Sequence, residues 1–407
     1  MATRTRVISQ SKALFVSPTG IPVAGATGYI PDQLHRIDTF SFDIDIAGAR
    51  TDIREFGQLA RIASVTMSDI NPSISFGYYL QDGENEARLG FNDDGIPLGT
   101  PTSQFVSGIV SEDPLKKQKN LYLLTVKEGD DAFNSGEILK LANFGNMDNI
   151  GFGNVTMNSY TASFAVGDIP RVDIEAECSN LVFNTGISGA NPSINQAGAR
   201  QVGDYVLAST GFENGSFKSP ATVPTTGDNN YAVLKPDDIT IAFSNPTFDM
   251  GGTDFSDMHI QSATVEIPLT RTNIEALGNA RPVAKPLEFP IDVTMSFSSL
   301  LKNFHEGSLD LILTGTAGDE TTDITLTIND EEGVGQNVYK LVGAQLDSQS
   351  FSQGLDDNET VDLTFSAQIG APNTTSQGIF YSGKFNGVVD ALTPSGRATA
   401  SPMMGTS

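Results

Sequence analysis

The residues able to do chemistry are few and scattered. The three histidines, His35, His259 and His305, stand apart from one another. No HExxH pattern or Cys/His cluster provides ligand spacing for zinc. His35 and His259 both precede the same kind of strand, which predicts a shared packing or hydrogen-bonding position. The single cysteine, Cys178, ends the alternating run Val172-Asp173-Ile174-Glu175-Ala176-Glu177, a setting for a buried strand thiol. The acidic pairs Asp43/Asp45, Asp93-Asp94, Asp130-Asp131, Asp237-Asp238 and Asp356-Asp357, and the run Asp330-Glu331-Glu332, lack the closing Glu of an EF-hand loop. They read as solvated strand faces and hairpin tips. No phosphate-binding glycine loop or nucleophile elbow stands in a strand–turn–helix setting. The sequence assigns no catalytic, cofactor or metal residue and reads as a non-enzyme.

The elements around these residues are strands. Phe40, Phe42, Ile44 and Ile46 alternate with Ser41, Asp43 and Asp45, the period-2 pattern of a half-buried antiparallel strand. Thr156–Phe164, Val172–Cys178, Asp323–Ile328 and Thr360–Ile369 repeat it. The best helix pattern is Glu137–Phe144, closed by Gly145. The chain is expected to be mainly β.

Charge narrows the function classes. The 407 residues carry 24 Lys and Arg against 49 Asp and Glu, a net −25. Such a chain gains no counterion-release energy on DNA or RNA and is repelled by anionic membrane. No stretch has the roughly 18 apolar residues of a membrane span. The apolar run Ala13–Val16 is too short for a signal peptide, and a lone cysteine fits folding in a reducing cytoplasm. With 39% apolar residues and 24 Phe, the chain can bury a sizeable core.

The sequence also repeats itself. Shifted by 221 residues, Arg50-Thr51-Asp52-Ile53 falls on Arg271-Thr272-Asn273-Ile274, and Gly57 on Gly278. Ser41 falls on Ser262, Ser75-Phe76 on Ser296-Phe297, and Leu80 on Leu301. With other offsets, Leu14–Ser17 matches Ile241–Ser244, and Leu123–Thr125 matches Leu326–Ile328. Ser163-Phe164 matches Ser350-Phe351, and Val172-Asp173-Ile174 matches Val361-Asp362-Leu363. This predicts two copies of one β domain, 1–183 and 232–370. A linker (184–231) joins them, and a Ser/Thr/Gly-rich tail (371–407) follows. Copy 1 has 18 more residues between its Leu80 and Leu123 than copy 2 has between Leu301 and Leu326. A loop of this length, about 81–103, is usually functional or disordered.

In both copies the Arg-Thr-x-Ile segment follows a strand. Thr51 and Thr272 are expected to cap a short turn closed by Gly57 and Gly278, with Thr272 and Glu275 at capping-box spacing. Arg50 and Arg271 then either present a guanidinium to carboxylates of a neighbouring copy or form a salt bridge inside their own domain.

The pattern of Phe40–Gly57 followed by Ser73–Leu80, and of Val265–Gly278 followed by Ile291–Leu301, resembles the major tail tube proteins of long-tailed bacteriophages, in the form with two fused tube domains. The resemblance spans both copies and favours a non-contractile, siphovirus-type tail. It implies tandem β-sandwich or partial-barrel domains with little helix, assembled as trimers into stacked pseudo-hexameric rings. Double-stranded DNA would pass through the lumen unbound, with other tail proteins as further partners, and the extra loop of copy 1, about 81–103, would be an arm docking on the adjacent ring. The protein would assemble in the host cytoplasm and reside in the virion tail. Asp43, Asp45 and Glu266 are then candidates for the lumen, with an outer solvent face as the alternative. Another virion part (a terminator, baseplate-hub or decoration protein) is the second reading, and a β-rich binding or adhesion module the third.

Overall fold

The computed structural model describes residues 12–19, 32–45, 50–66, 71–80, 83–92, 102–111, 117–125, 148–185, 192, 239–244, 259–277, 282–300, 321–329, 335–352, 360–372 and 374–383. Within these the chain is mainly β. A first group holds β1 (Lys12–Pro18), β2 (Asp32–Gln33), β3 (Ile37–Asp43), β4 (Arg50–Ile53), β5 (Ala63–Thr66), β6 (Ser73–Tyr79), β7 (Lys119–Thr125), β8 (Asp148–Ala165), β9 (Arg171–Glu177) and β10 (Asn180–Thr185). Two short helices, α1 (Glu84–Leu89) and α2 (Ser107–Val110), lie between β6 and β7. A second group holds β11 (Ile239–Phe243), β12 (His259–Pro268), β13 (Asp292–Leu300), β14 (Thr322–Asn329), β15 (Gly335–Ser352), β16 (Thr360–Gln368) and β17 (Gly378–Ser382).

Four of the five strands expected from alternation form over nearly the expected residues; the one read over Phe40–Ile46 starts at Ile37 and ends at Asp43, with Ile44 and Asp45 past its end and Ile46 outside the described residues. The helix expected at Glu137–Phe144 lies outside the described residues, as do His305 and nearly all of 184–231. The stretch 371–407, which reads as a polar tail, contains β17. Its Ile379, Phe380 and Tyr381 are buried, and an apolar triplet of that kind outweighs the polar composition around it.

Among the described residues all strand pairings are antiparallel, and the second group repeats those of the first. β1–β7–β8–β9–β6–β3, with β10 added to β8, has the same neighbours as β11–β14–β15–β16–β13–β12, with β17 added to β15. The registers carry the offsets read from sequence for β1/β11 (Leu14 on Ile241), β6/β13 (Phe76 on Phe297), β7/β14 (Leu123 on Leu326) and β9/β16 (Val172 on Val361). Two pairs differ by two residues. Pairing places Thr39, not Ser41, on Ser262, and Ser163 on Ser352. A slip of two keeps every side chain on its face, so alternation alone cannot detect it. The bulges also recur. β3 and β12 bulge between Ile37/Thr39 and Ile260/Ser262, and β8 and β15 between Met157/Ser159 and Leu346/Ser348.

Each long strand serves two sheets. The first half of β8 pairs with β7 and β10, and its second half with β9. β15 behaves likewise with β14, β17 and β16. The second half of β8 also pairs with β12, from Ser262↔Ala165 to Pro268↔Ser159. This seam joins the groups into one broad sheet, in the order β3–β6–β9–β8–β12–β13–β16–β15. Its apolar face packs on the smaller sheets, through Phe42 on Phe152 at 5.4 Å, Phe243 on Phe365 at 5.6 Å and Phe164 on Tyr339 at 5.9 Å. Val172, Ile174, Val265, Val293, Met295, Val361 and Phe365 form its buried rows.

Candidate functional site

Burial of one face of the broad sheet leaves the other as its working surface. One row of paired residues crosses all eight strands: Thr39, Gly77, Asp173, Thr161, Glu266, Thr294, Ser366 and Gln345. The next runs Tyr79, Arg171, Ser163, Thr264, Ser296, Thr364 and Ser348. Five adjacent strands thus present hydroxyls side by side, with Ser296 Oγ donating to Thr364 Oγ1 at 3.3 Å. Short, β-branched or hydroxyl side chains suit this pleated surface and give it low relief.

The charges on this face are acidic. Asp43, Asp173, Glu175, Glu177, Glu266, Asp292 and Asp362 share it, and among the described residues of the paired strand stretches that make up this face, Arg171 is the one Arg or Lys. The guanidinium of Arg171 is fully engaged. It donates to Asp38 (2.8 Å), Thr39 (2.9 Å) and Asp173 (2.8 and 3.0 Å). The hydrogen bond to Asp173 raises its pKa further above the ordinary Arg value. It lies across β6 because residue 77 is glycine; a Cβ there would collide with Arg171 and Asp173. Lys285, from outside the strands, sits 3.2 Å from Glu177. Asp173 and Glu266 are separated by Thr161 alone.

Of the residues singled out from sequence, Asp43 and Glu266 occupy the same position in the two groups, each opposite the matching residue of β6 or β13. Both are exposed on the polar face. Asp45 is exposed two residues past the end of β3.

The Arg-Thr-x-Ile segments form hairpin arms, not capped turns. β4 and β5 pair from Arg50↔Thr66 to Ile53↔Ala63, and Gly57 takes φ +93° at the turn. The second arm is held by bridges Arg271↔Leu287 and Ile274↔Ala284. Thr51 is an exposed strand residue. Thr272 donates to Glu288 across the second arm instead of pairing with Glu275, because extended backbone turns alternate residues to opposite sides. Gly278 lies outside the described residues. The tips leave Phe56, Leu59 and Leu277 fully exposed.

Arg50 and Arg271 part company. Arg50 is exposed on its arm. Arg271 is half-buried at the seam, donating to the carbonyls of Lys285 (3.0 Å) and of Met157 in the first group (3.4 Å). It uses carbonyls where a carboxylate partner was one expectation. Burial pulls its pKa down to about 10.

The extra loop of copy 1 does not project, as far as its described residues go. α1 and α2 fold back between the two groups because they carry apolar anchors: Leu89, Phe91, Phe105, Val106 and Ile109 are buried. Phe105 stacks on Phe91 at 4.7 Å and meets Tyr160 at 5.2 Å, Tyr381 at 5.0 Å and Tyr339 at 6.3 Å. Gln104 donates to the carbonyls of Thr374 and Gln377 and accepts from the Ile379 amide. The α1 carboxylate Glu86 accepts from Tyr78 at 2.8 Å and Tyr160 at 3.4 Å, and the Tyr160 and Tyr339 hydroxyls are 2.7 Å apart. Desolvation holds Tyr78 and Tyr160 well above the ordinary tyrosine pKa, so they stay protonated donors.

His35 is buried, 3.5 Å from Glu84, with its backbone paired to the Asn85 amide; His259 is exposed, so the two do not share a role. Cys178 is buried and its thiol is pushed up to about 12 by desolvation. Among the described residues no group of three or more His, Cys, Asp or Glu is arranged to hold a metal ion, and no helix is long and apolar enough to cross a membrane.

No protein-family model matches the chain, and no curated protein matches it. Among solved structures it is similar to a chain in the tail of an empty gene transfer agent particle refined with C6 symmetry, at 10% identity and TM-score 0.23, covering 33% of this chain and 93% of that one. A chain of the native gene transfer agent virion gives 11% identity, TM-score 0.23 and the same coverage. A chain of the six-fold symmetrised anti-feeding prophage baseplate gives 11%, TM-score 0.25, and 36% and 92% coverage. Likeness at this level carries no argument about what this chain does.

Proposed function

We propose that this protein is a structural component of a phage-type tail, assembling with copies of itself into a tube whose lumen is the polar face of the broad sheet. The observation that supports the reading is that face: eight strands wide, paved with short hydroxyl side chains, acidic, and with the two cations that touch it, Arg171 and Lys285, already paired with its carboxylates. A surface of that kind repels a polyanion and keeps its own hydration, so duplex DNA can lie close to it without binding. Asp43, Glu175 and Glu266 are its lumen-facing acids.

In this reading the two strand groups are two tube domains fused in one chain, centred on 1–183 and 232–370, with β17 belonging to the second. Three chains then make a ring of six domains. The rings stack through the hairpin arms, whose bare Phe56, Leu59 and Leu277 are too apolar to remain in water in an assembled particle.

Negative-stain microscopy of the purified full chain tests this. Rings and tubes with six lobes per layer and a hole wide enough for duplex DNA are expected. A protein that stays monomeric at high concentration overturns it.

A further inference from the structure

We infer that one chain joins the next by adding β3 to the open edge of the second half of β15, in the register of its own β8–β12 seam. This rests on the reading of the chain as one that assembles with itself, and it names the edge used. The partner is a second copy of this chain.

The internal seam supplies the template. β8 corresponds to β15, and β12 to β3, by pairing partners and by matched bulges. β8 and β12 are paired to each other. Among the described residues β3 pairs with β6 alone, and the stretch 345–352 of β15 pairs with β16 alone. The chain therefore ends on one side in the strand that accepts and on the other in the strand that is accepted. Unpaired edges of this kind seek a partner. Because the two edges differ, the contact is heterologous, the kind that closes rings.

Transferring the seam register sets Phe351 opposite Phe42, as Ala162 is set opposite Val265, and Ser350 opposite Asp43, as Thr161 is set opposite Glu266. Exposure agrees with the transfer. Phe351 on the open edge is 39% exposed. Phe183 is 64% exposed, whereas its counterpart Tyr381, beside the internal seam, is buried. Arg50 would then reach the Leu346 carbonyl of the next chain as Arg271 reaches that of Met157, with Asp347 beside it as a carboxylate. One sequence motif thus serves both seams, within a chain and between chains.

Paired cysteines test the register, since directly opposite residues bring their Cβ atoms within about 4.5–5.5 Å. The full-length double variant D43C/S350C, mildly oxidised, is expected to give disulfide-linked multimers that close as a ring, while each single variant stays unlinked. Moving one cysteine to the opposite face, in D43C/Q349C, should abolish linking. Hydrogen exchange on the unsubstituted protein supplies a second readout: amides of 37–43 and 345–352 should slow together as concentration drives assembly. Rings in the microscope with neither linking nor slowing would overturn the edge and leave the tube reading intact. Linking by either single variant would also overturn it. Linked multimers that never form tubes would uphold the edge and defeat the tube.

Discussion

Replacing Phe105 by Ala probes how the two strand groups are tied together. Phe105 is fully buried and belongs to the helical insertion, yet its ring contacts Tyr160 of β8 and Tyr339 and Tyr381 of β15 and β17. Truncating a buried Phe costs about 3–5 kcal/mol. Four aromatic neighbours, each pair contributing about 0.5–1.5 kcal/mol beyond area, place F105A toward the upper end of that range. A total stability of about 5–15 kcal/mol makes this a large fraction. The location of the loss is more diagnostic than its size. Exchange measured by mass spectrometry should show faster amides in β17 and in the first half of β15 as well as around α2. Urea unfolding is best followed by far-UV circular dichroism, because the chain has no Trp. F365A is the control: Phe365 packs on Phe243 and Phe297 within the second group, so it should cost a similar amount and leave 83–111 protected. A cost below about 1 kcal/mol for F105A, or faster exchange confined to 83–111, would refute the clamp.

Further consequences follow from the arms, the acidic face and the half-buried Arg271. F56D combined with L277D should leave ring-sized particles while abolishing long tubes in the microscope; tubes of normal length would remove the arms from stacking. D43K/E175K/E266K adds three cations to the polar face, so its assemblies should retain duplex DNA in a gel-shift assay at about 50 mM salt and release it as salt rises, whereas the unsubstituted protein should not retain DNA. No retention by the variant would argue that this face does not meet DNA. Arg271 is depressed to about 10 from an ordinary 12.5, so the unfolded chain binds more protons and stability should rise as pH passes above 10. Comparing the unsubstituted protein with R271M by denaturant midpoint between pH 9 and 11 should show that upward slope only where Arg271 is present; equal slopes would contradict it.

Much of the sheet was legible because alternation is a local signal. Val361, Leu363, Phe365 and Ala367 announce a buried face from their own spacing. The registers of β6/β13 and β9/β16 followed from identities such as Ser75-Phe76 and Val172-Asp173. The β3/β12 register did not, since copy 1 has two more residues between its strand and Arg50, and a slip of two leaves the pattern intact. The insertion was misread for another reason. Glu84, Glu86 and Arg88 look like a solvated segment, but they are buried because Tyr78, Tyr160 and His35 reach them from distant parts of the chain. The i,i+4 pair Glu84–Arg88 between Gly83 and Gly90 was the available sign of a short helix. Phe91, Phe105 and Ile109 were the sign that the segment is not an exposed loop. The arms were misread because Thr-x-x-Glu spacing suits a cap only if a helix follows, and the bridges at Arg271 and Ile274 keep the backbone extended. Asp43 and Glu266 were legible as members of a polar face; that they are equivalent to each other needed the pairing.

The recurring bulges have a geometric consequence. A bulge adds local twist and bends its strand, so it fixes how far a sheet turns at that point. Here the same two bulges occur at the same places in each group, so each four-strand unit carries its added twist at the same two points. Equal increments are the condition for a sheet to meet its own beginning instead of spiralling past it. The devices that set curvature thus repeat along this chain, and deleting the bulge at Asp38 while keeping its counterpart at Gln261 would leave one unit out of step with the other.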